Sequence, residues 1–173
     1  KRGDFEHLVV ATSIIRPSSK GIISEYLRRL HGGSWRHGHK RLESVLSATY
    51  GVLVFQEDVS RIAASIAGFA AAKRDRLRRV VCNKDPIEAL NTLESSFYRG
   101  ARERGIEAAS AREAWDSIRT IVGYSFTKAH SASCALVAFR LGWLKRHFPA
   151  EFFACVINNG GGYYSRQVYI NEA

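Results

Sequence analysis

The sequence predicts a mainly α protein that folds as a single helical domain. Apolar residues recur at intervals of three and four along most of the 173 residues, a spacing that places them on one face of a helix. The breaks between these segments are short and carry Gly or Pro, the residues that most often end or begin helices. A hydrophobic content of 46% is enough to form one core in a domain of this length.

The N-terminal part contains one ambiguous segment and two helical ones. Residues 5–15, with the sequence FEHLVVATSII, predict a strand or a buried helix, because a short apolar run does not distinguish the two. Pro17 interrupts the chain. The next segment predicts a helix that ends at Gly32 and Gly33, with cations in its last turn. Residues 34–51 predict a basic loop that leads into a short helix.

Six further helices are predicted from residue 56 onward. They cover residues 56–69, 71–84, 86–105, 110–124, 128–147 and 149–159. Pro86 and Pro149 suit the first turn of their helices, where a missing N–H costs nothing. Ser110 and Glu113 match a capping box, which predicts that their helix begins at Ser110.

The balance of charge points to an anionic partner. Lys and Arg number 26 against 16 Asp and Glu, which gives a net charge of +10 and a pI of about 9.9. A domain this basic predicts binding to nucleic acid, to a nucleotide or to an anionic membrane surface. The alternative is a basic protein without such a partner. The placement of the charges along the chain distinguishes the two interpretations.

Cysteine usage and hydropathy narrow the cellular setting. Cys82, Cys134 and Cys155 are far apart and lack CxxC spacing, which argues against a disulfide framework or a zinc site. This pattern fits a reducing cytosol, so we expect a cytoplasmic protein with neither a membrane span nor a signal peptide. The absence of Met, even at position 1, predicts that the chain is a piece of a longer protein.

A cluster of cations lies between residues 71 and 84 beside a single nearby acid, Asp75. On a helix, Arg74 and Arg78 share one face, and Leu77 marks the buried side. Like charges four residues apart destabilise a helix, and a bound anion would relieve that repulsion. Adjacent arginines such as Arg78 and Arg79 suit the forked geometry that binds phosphate oxygens. A solvated basic face is the simpler interpretation.

The segment GYSFTKAHSASCAL, residues 123–136, places a cation where a helix begins. The free N–H groups of a helix start are already positive, so Lys128 predicts an anion between the two charges. These N–H groups, Lys128 and the Ser131 hydroxyl could converge on one phosphate, and His130 could donate a further hydrogen bond. Capping alone explains the serines, and a capping or core role explains His130. Neither explains Lys128.

Catalytic motifs are missing from the sequence. Glu57 and Asp58 are adjacent, so their carboxylates point apart on a helix, and no carboxylate pair predicts a metal site. No P-loop, GxGxxG or nucleophile–base pattern is found either. The sequence therefore predicts phosphate binding, and no catalytic or metal-binding residue is assigned.

Three blocks of the sequence resemble a known family. They are TYGVLVFQEDVSRIA, DRLRRVV and GYSFTKAHSASCALVAFRLGWLKRHFPAEFFACVI. In order and spacing they resemble the fingers region of the bacterial C-family replicative polymerase, the DNA polymerase III alpha subunit, from about residue 5 to residue 165. Ser18 and Ser19 stand where the family usually has Gly and Pro. Together with the closing NNGGGYYS, they resemble the error-prone or divergent branch.

The resemblance implies that residues 1–173 are the fingers part of a larger DNA-directed DNA polymerase, with palm, thumb and accessory domains elsewhere. It implies that the fingers close over the incoming deoxynucleoside triphosphate. By motif position, that role falls to Arg78, Arg79 and the turn that contains Lys128, His130 and Ser131. Further candidate contacts to DNA or phosphate are Arg16, Lys20, Lys73 and Arg74.

The resemblance also implies partners and a cofactor. Metal-binding aspartates belong to the palm, so Mg²⁺ acts in the parent enzyme, and this chain should be inactive alone. The implied partners are primer–template DNA, deoxynucleoside triphosphates, the other polymerase domains and replication or repair subunits, with no membrane. Two alternatives stay open: a stand-alone basic helical module that binds nucleic acid, and a helical interaction domain without a nucleotide. The second alternative predicts that the two basic clusters lie on unrelated faces.

Overall fold

Helices make up the regular structure of the described chain. The computed structural model describes residues 4–15, 20–83, 87–122, 126–160 and 163–173. Ten α-helices lie within these ranges: α1 Phe5–Ile14, α2 Lys20–Leu30, α3 Lys40–Leu46, α4 Gln56–Ala67, α5 Ala71–Asn83, α6 Ile87–Glu103, α7 Ala108–Thr120, α8 Lys128–His147, α9 Pro149–Asn159 and α10 Arg166–Glu172. A 3-10 turn, Ser47–Thr49, follows α3. The predicted mainly α fold is confirmed.

The ambiguous first segment is a helix. The Asp4 carboxylate accepts a hydrogen bond from the Glu6 N–H at 3.0 Å, so Asp4 caps the first turn of α1. Val9, Val10 and Ile14 of this helix are buried. The apolar run therefore belongs to a helix whose start is fixed by its acidic cap.

The predicted start of α7 is wrong. The helix begins at Ala108, so Ser110 lies within its first turn. The capping box does not form because Glu113 is engaged elsewhere. Its carboxylate accepts the Gly38 N–H at 2.7 Å and lies 2.7 Å from His37 Nδ1.

The other helix boundaries agree with the sequence to within a few residues. Gly68 and Gly160 end α4 and α9 in the left-handed conformation, with φ of +68° and +57°, as expected for glycine at a helix end. Pro86 and residues 16–19 lie outside the described residues. Helix α10 is not predicted by the sequence pattern.

Helix α4 is the centre of the core and packs against α3, α5, α6 and α7. Its buried apolar side chains follow helical spacing, as the sequence predicts: Val59, Ile62, Ala63, Ile66 and Ala67. Burial of a large aliphatic side chain contributes about 1.5–3 kcal/mol. This stripe therefore holds α4 firmly and fixes the position of Gln56 and Glu57 in its first turn.

The chain divides into two compact units, Lys1–Ser131 and Ala132–Ala173, a division that the hydrophobic pattern does not indicate. The first unit contains the core around α4. In the second unit α9 packs against α10, and several large apolar side chains of α8 are exposed: Leu136, Val137, Phe139, Leu141, Trp143 and Leu144. In the described ranges, none of the helices has the combination of length and apolar character needed to cross a bilayer.

Candidate phosphate-binding site

The start of α8 is held by a carboxylate from α4. The Glu57 carboxylate accepts the Lys128 backbone N–H, with its two oxygens 3.1 and 3.3 Å from the nitrogen. The N–H groups and dipole of a helix stabilise a negative charge at this end. A side chain of the same protein thus supplies an anion at the place where the sequence predicts one.

The Lys128 side chain is paired as well. Its Nζ lies 3.0 Å from Glu6 Oε2 and 5.7 Å from the centre of the Phe55 ring. The Lys128 side chain is 43% exposed, so solvent screens the ion pair, which contributes at most about 1 kcal/mol. The ammonium is therefore oriented, yet an anion of higher charge can compete with Glu6 for it.

Gln56 joins the two basic clusters that the sequence singles out. Its Oε1 accepts a hydrogen bond from Arg78 Nη1 at 3.3 Å, and its Nε2 donates to Thr127 Oγ1 at 2.6 Å. Its backbone N–H donates to the Phe126 carbonyl at 2.9 Å. Arg78 and the residue before Lys128 therefore contact the same side chain.

The arginines of α5 share one carboxylate. Nη2 of Arg78 and Nη2 of Arg79 lie 2.8 and 3.1 Å from the two oxygens of Asp75. The hydrogen bond from Arg78, reinforced by the charge of Arg79, lowers the pKa of Asp75, and the same hydrogen bond raises the pKa of Arg78. Arg79 is 61% exposed and Arg78 is 30% exposed, so Arg79 is the more accessible cation.

Among the described residues, four cations and four acids lie around the starts of α4 and α8 and on α5. We call this set of residues the paired site. Its cations are Arg61, Arg78, Arg79 and Lys128, and its acids are Glu6, Glu57, Asp58 and Asp75. Asp58 is 5% exposed, and this burial raises its pKa against the opposing effect of Arg61. In the described residues, these acids do not gather with His or Cys into a group that could hold a metal ion.

Ser131 and His130 differ in accessibility. Ser131 is fully buried, and its hydroxyl oxygen accepts a hydrogen bond from Ser13 Oγ at 2.7 Å. It therefore anchors the first turn of α8 to α1 and does not face solvent. His130 is exposed, with its ring centre 5.2 Å from that of Phe126.

The remaining predicted contacts are less well placed or lie outside the description. Lys73 Nζ sits 4.4 Å from the centre of the Phe69 ring. Arg74 is half-buried, and its Nε has no hydrogen-bond partner in the described part of the chain. Lys20 begins α2, but its side chain is outside the described structure, as is the whole of Arg16.

Sequence reasoning assigned no role to Gln56, which links the two basic clusters, or to Glu57, which holds the start of α8. They follow directly after the buried run from Val52 to Phe55 and open α4. An abrupt change from apolar to polar residues at a helix start is the signal that could have found them. Their partners, 71 positions away in the chain, give no such signal.

A family model described as "Bacterial DNA polymerase III alpha subunit finger domain" matches residues 1–105. The chain therefore belongs to this family of polymerase finger domains, and the resemblance of its motifs is confirmed. The match covers α1 to α6 and ends before α7.

Relatives under two names are similar to nearly the whole chain. The DNA polymerase III subunit alpha of Xylella fastidiosa is 36% identical over 156 residues, which cover 90% of this chain and 13% of that protein. That of Campylobacter jejuni is 36% identical over 172 residues, covering 97% and 14%. The error-prone DNA polymerase of Anaeromyxobacter dehalogenans is 37% identical over 174 residues, covering 98% and 15%. The chain thus spans 13–15% of the length of these relatives, and the identities do not separate the two branches.

Proposed function

We propose that this chain is the fingers part of a DNA-directed DNA polymerase and that the incoming deoxynucleoside triphosphate binds at the paired site. Arg78, Arg79, Lys128 and His130 contact its phosphates. Ser131 does not contact the phosphates itself; it positions Lys128 and His130 by anchoring the start of α8 to α1. The observation that carries this proposal is the Gln56 side chain, which contacts both Arg78 and Thr127 and so brings the two basic clusters together.

Binding exchanges internal carboxylates for phosphates. Arg78, Arg79 and Lys128 each have an acidic partner at a distance of about 3 Å, and these partners orient the cations in the absence of nucleotide. A triphosphate carries more charge than any single carboxylate, so it competes for Lys128 and for the arginines of α5. Each charge-assisted contact to a phosphate contributes about 1.5–3 kcal/mol.

The chemistry of nucleotide transfer belongs to the rest of the parent enzyme. In the two-metal mechanism, Mg²⁺ ions held by palm carboxylates stabilise the attacking and leaving oxygens, and the residues of this chain position the triphosphate. The 173-residue chain alone should therefore extend no primer. Primer–template DNA, the remaining polymerase domains and replication or repair subunits complete the set of partners. The exposed apolar side chains of α8 support packing against those other domains, because such patches commonly mark interaction surfaces.

Nucleotide kinetics in the parent polymerase test this proposal. We expect Arg79→Ala and Lys128→Ala each to lower kcat/KM for the incoming nucleotide by about tenfold or more. Arg78→Lys should also be harmful, because an ammonium cannot reproduce the guanidinium fork. The measurement is a steady-state titration of one nucleotide on a fixed primer–template.

Arg76→Ala is the matched control. Arg76 lies on the same helix and is exposed, and in the described part of the chain it makes no ion pair. Its kcat/KM should stay within about twofold of wild type, and its stability should change by no more than about 0.5 kcal/mol. Kinetics of Arg79→Ala and Lys128→Ala that match this control would refute the triphosphate site.

The alternative function is a stand-alone basic module that binds nucleic acid, which the net charge of +10 favours. Binding of that kind spreads over many cations and falls steeply with salt, whereas a triphosphate site depends on a few named residues. A helical interaction domain without a nucleotide is the weaker alternative, because it predicts unrelated faces for the two clusters that Gln56 connects.

A further inference from the structure

The first unit contains a concave surface that is lined by none of the residues of the paired site. It is a cavity of about 1210 Å³ between the end of α2, the loop after it, the 3-10 turn and α1. Six side chains give it its character: His7, Arg29, His31, Trp35, Arg36 and Tyr50. Among the described residues that line it, none carries a carboxylate. We call it the Trp35 cavity.

The Trp35 ring is held in place before any ligand arrives. A Cβ added to Gly51, whose φ is +76°, would lie 2.4 Å from Trp35 Cε3, so the indole packs directly on the Gly51 backbone. The Arg29 guanidinium carbon is 6.0 Å from the ring centroid, and the His37 ring meets the indole nearly edge-on at 5.9 Å. The indole also lines the cavity, and a fixed aromatic ring there is a platform for stacking.

Tyr50 contributes a strained residue to the same wall. Among the described residues it is the one non-glycine residue with a positive φ, +53°, a conformation that side chains other than glycine rarely adopt and that often marks functional sites. The Arg29 Nη1 group donates to the Tyr50 carbonyl at 2.9 Å. The Tyr50 hydroxyl lies 3.2 Å from His7 Nε2. The surrounding contacts thus hold this strained turn at the edge of the cavity.

The two arginines of the cavity differ in whether an acid compensates their charge. Arg29 Nε donates to Glu25 at 2.6 Å, so its charge is already compensated. Arg36 is exposed, and within the described part of the chain it has no acidic partner. An anionic group that enters the cavity therefore meets Arg36 as its available cation.

From these observations we infer that the Trp35 cavity binds an unpaired nucleic-acid strand, with a base stacked on Trp35 and a neighbouring phosphate held by Arg36. Aromatic platforms combined with cations, without carboxylates, are how proteins bind single strands irrespective of sequence. The cavity exceeds the usual range of about 300–1,000 Å³ for a single small ligand, so it has room for more than one nucleotide. The inference uses none of the residues of the paired site, and it stands or falls independently of the proposed triphosphate site.

Fluorescence anisotropy on the 173-residue chain tests this inference. The probe is a labelled oligothymidylate of about twelve nucleotides. We expect Trp35→Leu to raise the Kd about fivefold or more, because the stacking of one base is lost. Arg36→Gln should raise the Kd and make it less sensitive to salt, with a slope of log K against log salt that is smaller by about 0.7.

Two variants serve as matched controls. Trp143→Leu removes a tryptophan that is 49% exposed in the second unit, and Arg76→Gln removes an exposed arginine of α5. Both should keep the Kd within about twofold of wild type, the size of a neutral surface change. If Trp35→Leu and Arg36→Gln behave like these controls, the inference is overturned.

Four further experiments test the chemistry of the ligand. A duplex of the same length and the mononucleotide dTMP should each bind more weakly than the oligothymidylate, and equal binding of either would overturn the assignment to a single strand. An oligoglutamate that displaces the probe from wild type but not from Trp35→Leu would assign the cavity to an acidic peptide instead. Photocross-linking of wild type with iodouracil-substituted strands guards against misfolded variants. Cross-links at Trp35 or Tyr50 support the inference, and cross-links confined to other residues refute it.

Discussion

The paired site and the Trp35 cavity differ in whether carboxylates lie beside their positive side chains. In the paired site, Arg78, Arg79 and Lys128 each face a carboxylate within about 3 Å. In the Trp35 cavity, the described wall carries cations and aromatic rings without an acid, and Arg36 has no partner there. A net charge of +10 therefore does not by itself locate a ligand. The two regions differ in ion pairing. The cations of the paired site have carboxylate partners within the protein, whereas Arg36 of the Trp35 cavity has no acidic partner in the described part of the chain.

The largest expected effect is a loss of stability when the Gln56 side chain, which links the two basic clusters, is replaced. Gln56→Leu removes the hydrogen bonds to Arg78 and Thr127 and leaves these partly buried groups unsatisfied. We expect the free energy of unfolding to fall by about 1–3 kcal/mol, as measured by urea denaturation. Gln167→Leu is the control, because it breaks an exposed side-chain hydrogen bond in the second unit and should change stability by no more than about 0.5 kcal/mol. Equal stability losses in the two variants would mean that Gln56 is not a structural link.

An intermediate effect should follow when a carboxylate is removed from the paired site, since the lining of the Trp35 cavity has none among the described residues. Glu57→Gln removes the negative charge that holds the Lys128 N–H and would repel an incoming anion. We expect the affinity of the 173-residue chain for tripolyphosphate to rise about threefold to tenfold, which corresponds to removing one partly screened repulsion. Isothermal titration calorimetry at low salt measures it.

Glu88→Gln is the control for this change in charge. Glu88 is exposed in the first turn of α6, and its variant changes the net charge by the same amount as Glu57→Gln. If both variants bind tripolyphosphate equally well, net charge explains the gain, and Glu57 has no particular place in the site.

The smallest effects are opposite trends with pH. Burial raises the pKa of Asp58 in the paired site, so the stability that depends on this group is greatest at low pH and is lost as the pH rises through the folded-state pKa. Beside the cavity, hydrogen bonds from Arg28 and then Arg29 lower the pKa of Glu25 to about 2. Its contribution is present above pH 4.5, the ordinary value, and is lost as the pH falls toward 2.

Thermal denaturation of the isosteric variants separates these trends from the general effect of acid. Relative to Asp58→Asn, wild type should become more stable as the pH falls from 7 toward 4. Relative to Glu25→Gln, wild type should become less stable as the pH falls from 4.5 toward 2. Trends of the same sign at the two positions would contradict the contrast between buried and paired carboxylates.

Much of the fold follows from local sequence signals, and its exceptions have a common cause. The stripe of α4 and the glycine ends of α4 and α9 are encoded by neighbouring residues, so spacing and composition predict them. The start of α7 is mispredicted because Glu113 binds His37 and Gly38, more than 70 positions earlier in the chain. A four-residue motif cannot show that its glutamate is engaged in a tertiary contact.

The same reasoning explains what the sequence shows of the candidate site. Lys128 at a helix start predicts an anion from local electrostatics alone, and Arg78 with Arg79 predicts a phosphate fork. The arginines face Asp75, a neighbour on their own helix. The carboxylates that face Lys128 come from Glu6 and Glu57 on other helices, and local patterns do not reveal which of 16 acids will be chosen. The Trp35 cavity is hidden for a similar reason, since the sequence marks its loop as basic but not as concave.

The bond between Ser13 and Ser131 bears on the order in which the protein is made. It joins hydroxyls that are 118 positions apart, and α1 has only ten residues, too few for a helix that is stable alone in water. At about 5–20 residues per second, the ribosome needs roughly 6–24 s to reach Ser131 after Ser13. We therefore expect the docking of α1 onto α8 to be a late step of folding during translation. Nascent chains that end before Ser131 lack this anchor, so their α1 should be cut more readily by proteases than α1 of the full chain.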